Sequence, residues 1–208
     1  MKHKRKSRPR DPPTARPQSL TIMAHDPGSA NYGWSVVRAT KVTRSRIKCV
    51  VLANGLCPHT VKVLKSGSQV RQKLNAYRKW AYGICKQWGV QFLIAERFMT
   101  RGGKGPTIEA INMMLGALLL GDLPCKVIPA SQWKNAVRRS GVELDAWYPW
   151  TKVTPHQFDA CLIGVYGASF LYGHKGFDAL NLARSIKKVA LEAERTSTET
   201  LINRKLRQ

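Results

Sequence analysis

The chain has 208 residues, 43% of them apolar, which suits one ordinary domain with tails and excludes wholesale disorder. Thirty-five Lys and Arg against twelve Asp and Glu give a net charge of +23, which points to a polyanionic partner. The longest apolar run, Met113 to Leu120, is too short to span a bilayer, and neither a signal-peptide core nor a lipidation motif favours a membrane. Nucleic acid is the expected partner.

Residues 1–19 hold seven Lys and Arg, one acid and four prolines with no apolar periodicity, and are expected to form a disordered basic arm. Leu20–Ala24 is a short apolar run ended by His25-Asp26-Pro27-Gly28, so Asp26 falls at or just past a strand's carboxyl end. Tyr32–Ala39 and Arg46–Asn54, the latter closed by Asn54-Gly55, read as two more strands of an antiparallel meander. Over 68–88 the period changes: Val70, Leu74, Tyr77, Ala81, Ile84 and Trp88 mark one face of a helix that Gly89 stops. Val90–Ala95 is a nearly continuous apolar strand ended by Glu96. A basic loop, Arg101-Gly-Gly-Lys104-Gly105, precedes a helix over Pro106–Leu120 with proline at its start. Cys125–Ile128 is another strand, Ser131–Arg139 a short helix and Thr154–Tyr172 a final helix. Residues 184–208 carry seven Lys and Arg against three acids and are expected to be a basic C-terminal extension. The order predicts an α/β fold around a mixed sheet, with acids at strand ends where open sheets place ligands.

The five cysteines (Cys49, Cys57, Cys85, Cys125, Cys161) form no C-x-x-C pair and read as reduced packing thiols of a cytoplasmic protein. Cys57 and His59 could begin a zinc site, but no second pair stands at usable spacing.

In a domain of this charge the few acids are informative. Thr154-Pro155-His156-Gln157 combines a capping box with proline at the first helical position, which puts His156 and Asp159 three residues apart on one face of the first turns. Each acid has an ordinary reading: a turn former at Asp26, a solvated strand end at Glu96, an acid at a positive helix end at Asp159. Together these readings weaken, because four polar residues end three separate elements. Carboxylates sharing a small volume repel one another unless a divalent cation compensates, and hard oxygen donors suit Mg²⁺ or Mn²⁺. Two such ions would support hydrolysis of a phosphodiester.

Asp26-Pro-Gly-Ser-Ala-Asn31-Tyr-Gly33-Trp-Ser-Val resembles the first-strand motif of RuvC-type Holliday junction resolvases, of the ribonuclease H-like superfamily. Leu93-Ile-Ala-Glu96 resembles that family's acid-ending fourth strand, Val127-Ile-Pro-Ala-Ser-Gln-Trp-Lys134 its fifth strand and basic helix, and His156-Gln-Phe-Asp159-Ala160 its closing helix. The resemblance spans about residues 20–172 and implies a ribonuclease H-like nuclease domain over 20–183. Its sheet would have five strands, a three-strand antiparallel meander plus two parallel strands. It also implies that Asp26, Glu96 and Asp159 hold two Mg²⁺ (or Mn²⁺) ions, that His156 ligates one of them or orients the nucleophilic water, that Lys134 serves catalysis beside a phosphate, and that no small-molecule cofactor is needed. Phe98 would stack on an unpaired base, its alternative being a hydrophobic loop anchor; Arg101, Lys104, Lys134, Arg138 and Arg139 would contact DNA. The short segment between Lys134 and His156, where Lys152 is a weak candidate for a second active-site lysine, and the basic extensions resemble phage or viral relatives, whose setting would be the host cytoplasm.

The substrate so implied is branched DNA, above all a four-way junction, whose near two-fold symmetry calls for a homodimer. Helix 108–120 is either part of that interface or buried in the monomer. A flap or fork nuclease, a transposase of related fold and a non-catalytic DNA-binding protein are the alternatives.

Overall fold

A computed structural model describes residues 18–28, 32–59, 67–97, 106–139, 153–173, 176–177 and 179–205. Three antiparallel strands come first: β1 (Ser19–Asp26), β2 (Gly33–Lys41) and β3 (Arg46–Leu56). Helix α1 (Gly67–Trp88), β4 (Phe92–Arg97), α2 (Pro106–Leu119), β5 (Cys125–Pro129), α3 (Ala130–Arg139) and α4 (Pro155–Leu171) follow. A two-residue strand, β6 (Gly176–Phe177), and a long helix, α5 (Ala179–Lys205), end the described chain. The five expected strands form one mixed sheet, to whose edge β6 adds, in the order β5-β4-β1-β2-β3-β6. Strand β1 runs antiparallel to β2 and parallel to β4, and β4 runs parallel to β5.

Strand β1 is central and covered on both sides, so Ile22 to Asp26 are all buried without a break. Alternation divides its neighbours between two cores. Ile22, Ala24, Val37 and Ile94 join residues of α3, α4 and α5 on one face, while Met23, Val36, Leu93 and Ala95 join α1 and α2 on the other. Helix α4 lies so deep that Ala160 to Ala168 are buried all round its circumference. Each large apolar side chain taken fully out of water there contributes about 1.5–3 kcal/mol before the entropy of ordering it.

Local signals account for most boundaries. Thr154 caps α4 through a reciprocal box: its Oγ1 accepts from Gln157 N at 3.3 Å, and Gln157 Oε1 accepts from Thr154 N at 3.0 Å. Gly89, with φ +59°, ends α1 in the left-handed region where a side chain is strained. Strand β4 starts two residues later than the apolar run suggests. Val90 N donates back to Cys85 O at 2.9 Å, which spends Val90 on closing α1. Helix α5 crosses the expected boundary at 183/184 without a break, and Ile186 is fully buried in the core. At the other end, Ser19 begins β1 rather than ending the arm. Among the described residues no helix is long and apolar enough to cross a membrane. All five cysteines carry free thiols, and Cys57 Sγ accepts from His59 N at 3.4 Å.

Candidate active site

The register builds the site. The last parallel pair of β1 and β4 is His25 with Ala95, so the next residues lie side by side, Asp26 as the last of β1 and Glu96 as the last but one of β4. Ala24 and Ile94 point into the α4 core, and alternation sends Asp26 and Glu96 to that same face. On β2, Gly33 pairs with Asp26 and lets the first turn of α4 come down on the strand. A Cβ at Gly33 would lie 2.0 Å from His156 O and 2.3 Å from its carbonyl carbon. Only glycine fits there. His156 is thereby seated over Asp26, and Nδ1 of its ring meets Asp26 Oδ2 at 2.6 Å. A carboxylate can only accept, so Nδ1 carries the proton and Nε2 is left for other partners.

Asp159 follows one turn later on α4, and Lys134 Nζ of α3 approaches its Oδ2 at 3.8 Å. Glu96 Oε2 accepts from the indole Nε1 of Trp133 at 2.5 Å. The structure therefore brings Asp26, Glu96, His156, Asp159 and Lys134 to one end of the sheet. Arg138 and Arg139 lie at the exposed end of α3, where Arg139 Nε also donates to Asn135 O at 3.1 Å and closes the helix. Phe98, Arg101, Lys104 and Lys152 lie outside the described residues. His25, next to Asp26 in sequence, points to the opposite face. It is fully buried against Tyr32, and burial drives its imidazole down to about 3.

The acids act on one another. Burial, then the negative charge of Asp26, lift the Asp159 carboxyl to about 6, although Lys134 and His156 pull it down. Burial raises Glu96 above its ordinary value; the Trp133 hydrogen bond opposes that shift, and Asp26 and Asp159 add to it. The bond to Asp26 raises His156. Mutual repulsion of this kind is what a divalent cation would relieve, and three carboxylates with one imidazole fit Mg²⁺ or Mn²⁺ in donor chemistry. Even so, among the described residues no group of three or more His, Cys, Asp or Glu side chains is placed to hold a metal ion. Each carboxylate instead faces a donor of its own, Asp26 to His156, Glu96 to Trp133 and Asp159 to Lys134.

One consequence concerns stability. With its carboxyl raised to about 6 from an ordinary 3.8, Asp159 binds a proton more tightly folded than unfolded, so stability falls as pH rises through that window. Asp159→Asn removes this loss. The variant should be more stable than the parent at neutral pH in EDTA, by on the order of 1–3 kcal/mol, and the difference should vanish below about pH 4. Urea unfolding across pH measures it; a variant less stable at neutral pH would contradict the upward shift that burial and Asp26 impose on this carboxyl.

Trp133 is the site residue that sequence reasoning missed. A signal existed, because a buried indole requires an acceptor for its N–H. Which acceptor it finds depends on where α3 crosses the end of β4, and no local pattern encodes that.

The fold is shared with solved resolvase structures. That of Thermus thermophilus RuvC in complex with a Holliday junction substrate matches with a TM-score of 0.55 at 16% identity, over 74% of this chain and 98% of that one. Another Thermus thermophilus RuvC structure matches with a TM-score of 0.54 at 14% identity, over 74% and 95% of the two chains. The yeast mitochondrial Holliday junction resolvase gives 0.49 at 12% identity, over 87% of this chain and 89% of that one. No protein-family model and no curated protein matches the chain. At these identities the likeness is one of fold: a RuvC-like, ribonuclease H-like sheet and its flanking helices.

Proposed function

We propose that this chain is a metal-dependent, structure-selective endonuclease that resolves Holliday junctions, and other branched DNA, by paired nicks. The observation that supports the reading is the electrostatic coupling of Asp26, Glu96, His156 and Asp159, from three separate elements, in a basic domain of RuvC-like fold. The junction substrate in the Thermus complex is a property of that protein, and it supports the same substrate class here.

Asp26, Glu96 and Asp159, with His156, would hold the ions, two per site. Bound there, Mg²⁺ or Mn²⁺ supplies Lewis-acid stabilisation of the phosphodiester and a water acidic enough to attack it. The protein's own part follows from its contacts. Asp26 fixes the imidazole of His156 through Nδ1 and leaves the unprotonated Nε2 lone pair to face an ion. The Lys134 side chain is 41% exposed, so its ammonium can leave Asp159 for a backbone phosphate. Arg138, at the exposed end of α3, extends the cationic track.

A homodimer would present two such sites to the two matching strands of a junction. Helix α2 is both core and surface: Ile111, Met114 and Leu118 are buried, whereas Met113 and Leu119 are 44% and 51% exposed, and Leu120, just past its end, is 76% exposed. We assign the exposed side to the dimer contact.

The test is cleavage of a labelled four-way junction and of linear duplex, with and without Mg²⁺. Symmetric nicks in the junction alone, dependent on metal, are expected. Cuts across many branched forms would make the enzyme a flap or fork nuclease. Tight binding without cleavage would make it a DNA-binding protein on a nuclease fold.

A further inference from the structure

Helix α3 presents consecutive residues to two of the carboxylates: Trp133 to Glu96 and Lys134 to Asp159. The two differ in kind. Lys134 is a mobile, partly exposed cation, whereas Trp133 is fully buried among the residues of the α3–α4 core. Its rotamer is fixed by packing, so holding the bond costs almost no further entropy. An indole N–H can only donate, which makes the contact irreversible in sense and occupies one oxygen of Glu96, Oε2. The bond leaves the other oxygen, Oε1, out of the indole contact.

We propose that Trp133 is a positioning residue for the divalent-cation site, anchoring Glu96 through its indole N–H so that one carboxylate oxygen faces the metal. The inference rests on the reading of Glu96 as a metal ligand. It gives the fully buried ring two duties, filling the core and orienting a carboxylate at the core's edge. A ring that only filled space would serve as well without its nitrogen; a ring that orients Glu96 would not.

The experiment is Mn²⁺ binding to the full chain without DNA, followed by the electron paramagnetic resonance of free Mn²⁺, with thermal melting in EDTA as the check on folding. Trp133→Phe keeps an aromatic ring and removes the donor. It should weaken Mn²⁺ binding about 10–100-fold in molecules that remain folded, and Glu96→Gln should weaken it at least as much. Mn²⁺ affinity within twofold of the parent in Trp133→Phe, alongside a clear loss in Glu96→Gln, would overturn the proposal and leave the carboxylate site standing. Unchanged affinity in Glu96→Gln would overturn both. Should Trp133→Phe fail to fold, 3-benzothienylalanine placed at position 133 keeps the shape and puts sulfur where the N–H was. The same weakening is expected of it, and normal affinity would refute the anchoring role.

Discussion

Asp26→Asn should cut the rate of junction cleavage by at least about 10³-fold while leaving junction binding intact or tighter. The side chain is only 8% exposed and sits at the centre of the group: its charge acts on Glu96, Asp159 and His156 alike. Replacing the carboxylate with an amide of the same shape keeps the packing and removes that charge. Three effects follow together. The proposed ion site loses a hard anionic donor, the imidazole of His156 loses the partner that raises it, and the repulsion felt by Asp159 weakens. DNA binding responds in the opposite direction, because a negative charge near the phosphate path has gone. Single-turnover cleavage with Mg²⁺, set against gel shifts in EDTA, separates the two quantities. A variant that cleaves within tenfold of the parent would remove Asp26 from the chemistry.

The same group shows how far the sequence could be read. Asp26 was legible because Pro27-Gly28 forces a turn after an apolar run, and α4 was legible because Thr154, Pro155 and Gln157 form a start signal that the structure reproduces in every bond. These are local patterns, in which chemistry and geometry lie within four residues. What the sequence hid is non-local or competitive. Val90 is as apolar as a strand residue, yet its N–H closes the preceding helix, so β4 starts later. Residues 184–205 look polar and unpatterned, but Ala, Leu, Glu, Lys and Arg are good helix formers, and α5 runs through them. The Trp133–Glu96 bond joins residues 37 apart, and only the crossing of α3 over the end of β4 determines it.

Gly33→Ala should be strongly disruptive, because the methyl group it adds meets backbone. The added Cβ would fall 2.0 Å from His156 O, 2.3 Å from His156 C and 2.9 Å from Gln157 N. All three are backbone atoms of the capped first turn of α4, which no rotamer change can clear. Either β2 bends away from β1, breaking the pairing of Gly33 with Asp26, or the helix start lifts and carries His156 off Asp26. Overpacking of this kind costs about 1–3 kcal/mol or more, and here each route of relief also dismantles the site. Stability and cleavage should therefore fall together, unlike Asp159→Asn, which trades one for the other. Gly83→Ala provides the contrast. It lies on the exposed side of α1, a Cβ there meets nothing within 4 Å, and exchanging glycine for alanine within a helix should add about 0.5–1 kcal/mol. Urea midpoints for the two variants, measured with their junction-cleavage rates, decide the matter. Parental stability in Gly33→Ala would mean that α4 can sit further from β2 than the cap permits, and His156 would then be free of the strand that is argued to seat it.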